Sequence, residues 1–359
     1  MIYRALGNTG LRVSQVSFGC IRFDGLDQQR VTQLVKRAID GGINYFDTAR
    51  AYGSSEVYLG QALRELGARD RVILSSKVIR RDLDAFKQDF ETTMRNLQTD
   101  YLDILFLHDV STRKNWDRLI SQGTLDYALE LKKQGRIGHL AISTHDGVMG
   151  EMMIRTGHFE IAMLAYNPIG RDVEQTLLPL CTQLGLGVVI MKPLGGGVLS
   201  EARSAQLGFS VTAKECLEFA VSNPHVSCII PGMDKPEYVD TALQVGAQQA
   251  VYTDAMRDAL TARISLQGKN YCRGCGYCLP CVKNIPIPTV LALLNRSEAF
   301  GGLDWSQTHQ IAQEYTQTVA RDRLPEQCIA CGACVTRCPY NLPIPQLMKE
   351  AAAKLRRYD

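Results

Sequence analysis

The sequence predicts an α/β fold, a closed (β/α)8 barrel followed by a small α-helical C-terminal domain. Three observations predict it. Between about residues 16 and 232, short β-branched or apolar runs alternate with longer segments of helical period, the pattern of repeated β-α units around a parallel sheet. There are eight such runs, the number that closes a barrel. Beyond about residue 252 the alternation stops, and cysteine-, proline- and helix-rich sequence takes over. The barrel is assigned to residues 1–255 and the second domain to 256–359.

Taken in chain order, residues 3–12, centred on Gly7-Asn8-Thr9-Gly10, read as a hairpin that precedes the first barrel strand and closes the barrel's bottom. The strand runs are residues 16–19, 45–48, 72–77, 104–108, 139–143, 163–167, 188–192 and 228–231. Helices are expected over 27–40, 55–66, 82–97, 172–184 and 236–245, each with apolar residues at helical spacing and a polar residue near its start. An open dinucleotide-binding sheet is the competing arrangement. It calls for G-x-G-x-x-G between its first strand and helix, and the chain contains no such match.

At 45% hydrophobic and 21% charged, 359 residues suffice for one large domain and a small one. The 40 basic and 37 acidic residues nearly cancel, which leaves no broad electrostatic footprint for nucleic acid or an anionic membrane. Met1-Ile2-Tyr3-Arg4 runs into polar, glycine-containing sequence without the apolar stretch of a signal peptide, and no later run reaches transmembrane length. A cytoplasmic location is therefore expected, and nothing in the sequence sets an oligomeric state.

Of the twelve cysteines, Cys20, Cys181, Cys216 and Cys228 stand singly in apolar surroundings and read as small buried thiols. Cys20, ending the first strand, reads as an apolar wall residue. The other eight form two runs, which in a reducing compartment indicate metal ligation rather than disulfides. Cys328-x2-Cys331-x2-Cys334-x3-Cys338-Pro339 reproduces the bacterial iron-sulfur spacing, in which three thiolates wrap one cubane and the fourth ligates a second. The second set is Cys272-x2-Cys275-x2-Cys278-x2-Cys281. Its last gap is one residue shorter and Val282 stands where proline is usual, so the roles of Cys278 and Cys281 stay open. Paired C-x2-C units also build tetrahedral zinc sites, the alternative reading of the same thiolates. Forty-six residues separate Cys281 from Cys328, which favours a helical ferredoxin-like domain with two 4Fe-4S clusters over a compact β-type ferredoxin. The tail also repeats itself: residues 281–288, Cys-Val-Lys-Asn-Ile-Pro-Ile-Pro, match residues 338–345, Cys-Pro-Tyr-Asn-Leu-Pro-Ile-Pro, and a helical stretch follows each.

Barrel enzymes place their chemistry at the C-terminal ends of the strands. There the sequence puts Asp47 after the second strand, Tyr52 in the loop that follows, Lys77 after the third strand and His108 after the fourth. Each has an ordinary reading alone, as a helix cap, a rim residue, a solvated strand end or a structural hydrogen-bonder. Arriving in order at consecutive strand ends, they resemble the aldo-keto reductase family over about residues 1–246, of the type with a C-terminal ferredoxin-like dicluster domain. The resemblance implies that Tyr52 is the proton donor, that Lys77 and Asp47 tune it, and that His108 orients a carbonyl. A free tyrosine has a pKa of about 10, and a neighbouring ammonium is expected to lower it toward neutrality. Asp47 is expected to pair with Lys77 and hold it in place.

The resemblance continues into Ser143-Thr144-His145 after the fifth strand and Met191-Lys192-Pro193-Leu194-Gly195-Gly196-Gly197 after the seventh. Those loops hold the nicotinamide and pyrophosphate in the family, which implies NAD(P)H contacts from Ser143, Thr144, Asn167, Lys192, Pro193, Leu194, Gly195 and Lys235. Met163 replaces the glutamine that holds the carboxamide in the family, and Met191 replaces the aromatic that stacks on the nicotinamide. Both also read as core filler. Gly232, Met233 and Tyr238 stand where NADPH-preferring relatives carry lysine, serine and arginine; Lys235 compensates and Asp234 repels a phosphate, so neither form of the cofactor is favoured. His145 lies beside the expected pocket.

Together these features predict nicotinamide-dependent reduction of a small carbonyl, or oxidation of an alcohol, joined to iron-sulfur clusters that exchange electrons with the barrel or a protein partner. Hydride carries two electrons and each cluster one, and no flavin-binding signature is evident to split the pair. Two other readings stand beside it. In one the clusters are structural or redox-sensing; in the other the chain is an electron-transfer or sensor protein whose barrel binds a ligand without turning it over.

Overall fold

In a computed structural model the chain divides into two compact units, residues 1–196 with 213–257, and residues 197–212 with 258–359. The described residues are 1–197, 199–201, 204, 210–265, 272, 276–299, 305–338 and 342–357. Cys275 and residues 339–341, part of the cysteine runs and of the repeat, lie outside them.

The first unit begins with strands β1 (Tyr3–Ala5) and β2 (Arg12–Ser14), paired antiparallel as the expected hairpin. Eight parallel strands follow: β3 (Phe18–Gly19), β4 (Tyr45–Asp47), β5 (Ile73–Val78), β6 (Leu102–Leu107), β7 (Ile137–Thr144), β8 (Ile161–Ala165), β9 (Gly187–Met191) and β10 (Cys228–Ile229). Each pairs with its sequence neighbour, and parallel bridges Val16–Ile229 and Gly19–Gly232 join the last strand to the first and close the barrel. The hairpin sits at the bottom. Leu6 and Val13 pack with Ile161 and Val189 in the barrel interior, and the Asn8 amide donates to the Gly185 carbonyl at 2.9 Å, just before β9. Gly7 is obligatory there: its φ is +57°, and a Cβ would lie 2.2 Å from the Gly187 amide nitrogen.

Between the strands lie α1 (Gln28–Asp40), α2 (Ser55–Glu65), α3 (Leu83–Leu97), α4 (Arg113–Ser121), α5 (Thr124–Lys133), α6 (Gly147–Ile154) and α7 (Leu177–Gln183), then the helices Ala213–Val221 and Pro236–Ala247. In α1 the buried residues are Val31, Leu34, Val35, Ala38 and Ile39, the stripe that a period of 3.6 turns toward a core. Asp27, Asp82 and Asp146 accept from the amides of Arg30, Ala85 and Met149 and so cap α1, α3 and α6, each worth about 1 kcal/mol. One expected helix is shorter than its pattern. The span 172–184 becomes helical only at Leu177, because Glu174 is held inward by the Tyr166 hydroxyl at 2.5 Å and by Arg171 and Arg257.

In the second unit the two copies of the repeat fold alike, with helices Ile287–Ala299 and Ile344–Lys354 starting at equivalent isoleucines. Ile287 donates to Ile285 and Ile344 to Leu342, both at 2.8 Å, so each copy enters its helix through the same tight turn. Ile287, Leu291, Leu294, Ile344, Leu347 and Met348 share one core, against which Cys272, Cys281 and Cys328 pack. Among the described residues no helix is long and apolar enough to cross a membrane.

Candidate active site and cysteine recess

Because side chains alternate along a strand, one column from each barrel strand points inward. Tyr45, Ile104, Phe106, Ala141, Met163, Val189 and Cys228 fill that interior, and the same columns continue upward through Asp47, Lys77, His108 and Ser143. The pairing register places Asp47 beside Ser75 and Lys77 beside Phe106. The four residues expected at the strand ends are therefore brought together.

Asp47 and Lys77 are 2% and 1% exposed, and Lys77 Nζ donates to Asp47 Oδ2 at 2.5 Å and to the Thr48 carbonyl at 2.6 Å. Ser75 donates to Asp47 Oδ1 at 2.7 Å, and the Tyr45 hydroxyl lies 3.0 Å from Ser75 Oγ. Lys77 Nζ is 4.8 Å from the centroid of the Tyr52 ring, and the Tyr52 and His108 rings meet edge to face at 5.9 Å. The Tyr52 loop is fixed at its start and beyond. The Thr48 and Arg50 amides donate to the Ser75 and Lys77 carbonyls at 3.0 Å, extending the ladder past β4. Arg50 donates at 2.8 Å to the fully buried Glu56 of α2, which also accepts from Ser76, Thr93 and Asn96.

The electrostatics differ in one respect from the expectation. Burial pushes the Tyr52 phenol above its ordinary pKa and outweighs the opposing pull of Lys77, while the charge on Asp47 adds to the rise. Tyr52 is thus a neutral phenol at pH 7, not one poised to ionise. Burial pulls the Lys77 ammonium down, but Asp47 and Tyr52 more than offset it and leave its pKa raised. Burial likewise raises the Asp47 carboxyl against the pull of Lys77 and Ser75. His108 is lowered to about 3, by burial first and the Lys77 charge second, so its imidazole is neutral. Its Nδ1 is buried without a hydrogen-bond partner among the described residues, an orphaned polar atom beside the Tyr52 ring.

The residues assigned to the nicotinamide by resemblance are placed as follows. Ser143 Oγ accepts from the Asp109 amide at 2.8 Å, and Thr144 Oγ1 from the Asp146 amide at 3.1 Å. Asn167 donates through Nδ2 to the Lys192 carbonyl at 3.0 Å and accepts from the Ile169 amide at 3.0 Å, so it ties the loop after β8 to the turn after β9. That turn runs Lys192-Pro193-Leu194-Gly195, closed by the Gly195 amide on the Lys192 carbonyl at 2.9 Å. Lys192 and Gly196 have φ of +55° and +69°, and a Cβ on Gly196 would meet nothing within 4 Å, leaving open space over the backbone. Met163 is 1% exposed in the barrel core and Met191 packs against it, matching their reading as filler. Lys235 is exposed, its Nζ 5.8 Å from the Tyr238 ring, and Asp234 pairs with Arg22 at 3.7 Å. Cys20 is buried, and its thiol is raised well above the ordinary value by burial and then by Asp47.

Sequence reasoning missed Tyr45, Ser75 and Glu56. The first two carried a signal, since each stands two residues before a site residue on the same strand and so shares its face. Glu56 carried none beyond its place in the first turn of α2.

In the second unit Cys281, Cys328, Cys331 and Cys334 line one recess, together with Val282, Lys283, Ile329 and Arg337. The fourth cysteine of the first run thus joins the first three of the second. Cys338 does not line that recess and is buried in the core with Cys278, packed with Cys272. Cys334 is buried in that same core, and Cys281 and Cys328 pack against it. Among the described residues no three His, Cys, Asp or Glu side chains gather closely enough for a single metal ion; the thiols stand apart around the recess walls.

Comparison with known proteins agrees with this architecture. The aldo/keto reductase family model matches residues 15–215, and that of the 4Fe-4S dicluster domain matches residues 271–342. An uncharacterised oxidoreductase of Bacillus subtilis, YrpG, is 29% identical over 230 residues, covering 55% of this chain and 68% of that protein. "Probable aldo-keto reductase 1" of Glycine max is 27% identical over 214 residues, covering 54% of this chain and 59% of its own length. Among solved structures, an aldo-keto reductase of Bacillus halodurans in its holo form superposes with a TM-score of 0.63 at 25% identity, over 73% of this chain and 96% of that one. With a family model spanning more than half of its length, the chain belongs to the aldo/keto reductase family, and it carries a C-terminal 4Fe-4S dicluster domain.

Proposed function

We propose that the barrel reduces a small-molecule carbonyl, or oxidises the corresponding alcohol, with NAD(P)H, and that the second unit holds two 4Fe-4S clusters for electron transfer. The single observation that carries the first part is the Asp47–Lys77 ion pair buried beneath the rings of Tyr52 and His108. When bound, the reduced nicotinamide supplies the hydride. The open, glycine-bearing turn 192–196 suits a diphosphate that must approach backbone closely, and Ser143, Thr144, Asn167 and Lys235 are the polar groups offered to the rest of the cofactor.

The chain's own residues then act on the carbonyl oxygen. Neutral His108 donates its ring N–H to that oxygen and orients it. Tyr52 gives up its phenolic proton as negative charge develops there, and the phenolate left behind faces the Lys77 ammonium. Lys77 therefore acts more strongly on the transition state than on the resting phenol, which is how a raised ground-state pKa remains compatible with proton donation. Asp47, fixed by Ser75 and through it by Tyr45, keeps Lys77 charged and aimed. The alternative, a ligand-binding barrel in an electron-transfer or sensor protein, draws its support from Met163 at the carboxamide position.

Incubation with NAD(P)H dideuterated at C4 and a panel of aldehydes and ketones tests this. Deuterium on the carbinol carbon of an alcohol product is the expected result. Conversion of the panel to alcohols that carry no deuterium on the carbinol carbon would remove the hydride step.

A further inference from the structure

One surface of the second unit is unused by the barrel chemistry and by cluster ligation. Val282 follows Cys281 and Ile329 follows Cys328, and the two are 67% and 57% exposed at the mouth of the recess. Cys331 belongs to the same lining and is exposed. Lys283 and Arg337 belong to the same lining, which among the described residues contains no carboxylate. Arg337 is held in place, donating to the carbonyls of Ala333 at 2.9 Å and Pro280 at 3.0 Å, and among the described residues neither cation pairs with an acid. Exposed apolar side chains beside two cations that pair with no acid among the described residues, with a thiol open to solvent, combine a centre that desolvates easily with charges that steer encounter.

We infer that this surface docks an acidic one-electron carrier protein, which exchanges electrons with the cluster held by Cys281, Cys328, Cys331 and Cys334. The inference rests on the iron-sulfur reading above. One electron crosses per encounter: the carrier is oxidised by one as the cluster is reduced by one, or the reverse, and no bond forms or breaks. Short range matters to such a step, and the exposed Cys331 edge gives the closest approach. Cys334, Cys278 and Cys338 are buried, and among the described cysteines of the two runs Cys331 alone is exposed.

Binding of an acidic plant-type 2Fe-2S ferredoxin to the full chain, purified with its clusters under anaerobic conditions, tests the docking by calorimetric titration. A basic c-type cytochrome serves as counter-probe. At low ionic strength, Lys283→Glu combined with Arg337→Glu is expected to weaken ferredoxin binding by about tenfold or more, and Arg30→Glu on the exposed face of α1 by less than about twofold; salt should weaken the unsubstituted chain. Iron and sulfide content and the visible spectrum are read on every variant. If the Glu pair loses iron, Lys283→Gln with Arg337→Gln is read instead, with about threefold weakening expected. Equal affinity in a charge-altered chain with intact clusters, or tighter binding of the cytochrome, overturns the docking alone. A chain that purifies without iron and sulfide overturns the cluster reading, and the docking with it.

Discussion

Lys77 faces two groups that need its charge, and removing it exposes both. Lys77→Met leaves the Asp47 carboxylate buried without its partner, so a loss of about 3 kcal/mol is expected in urea denaturation, alongside loss of carbonyl reduction. His108 gives a pH signature. Its folded pKa of about 3 lies below the unfolded value of about 6.5, so the unfolded chain binds the extra proton first. That contribution to stability is complete above about pH 6.5 and falls away as pH drops toward 3. His108→Gln should flatten the acid limb of the stability profile measured between pH 4 and 7; an unchanged limb would mean that the imidazole is charged in the native state. At this scale the sequence was informative where a residue type is rare in a strand end and silent where it is ordinary. Asp, Lys and His at consecutive strand ends stand out; the hydroxyls of Tyr45 and Ser75 look like strand filler until the register places them on the Asp47 face. The sign of the Tyr52 shift was not legible, because burial, which decides it, is a property of the packed loop.

Among the elements, the hairpin β1–β2 is the most exacting contact of the barrel. Gly7→Ala would drive a Cβ into the backbone at Gly187 and force a left-handed conformation on alanine, so loss of about 2 kcal/mol or more is expected from thermal unfolding. A wild-type melting temperature in that variant would show that the hairpin docks elsewhere. Asp27→Ala should cost about 1 kcal/mol, the ordinary worth of a cap on the exposed start of α1. All eight strands were legible because short apolar runs separated by helical periods have few other uses. Helix 172–184 was misjudged by five residues because its pattern is amphipathic from the start. Glu174 is instead held by Tyr166, Arg171 and Arg257, all three outside the span and Arg257 far along the chain.

At the scale of the whole chain, the cysteine repeat was legible in spacing alone, whereas the meeting of Cys281 with Cys328, Cys331 and Cys334 at one recess required the fold. The shortened first run still delivers Cys281 to the recess of the second, because the tight turn at Ile285–Ile287 matches the one at Leu342–Ile344. Two clusters would correspond to about eight irons per chain, and Cys331→Ala should then lower the count toward about four while the other cluster persists. A full complement of iron in that variant would remove Cys331 from the ligand set. The aldo/keto reductase family model covers the part of the chain that carries Tyr52, and the 4Fe-4S dicluster model covers both cysteine runs of the second unit. The most direct measurement of the central claim compares the unsubstituted chain with Tyr52→Phe in NAD(P)H oxidation across a panel of carbonyl substrates, with iron content matched. The account predicts a loss of about a hundredfold or more in turnover with the clusters intact; an unchanged rate would contradict it.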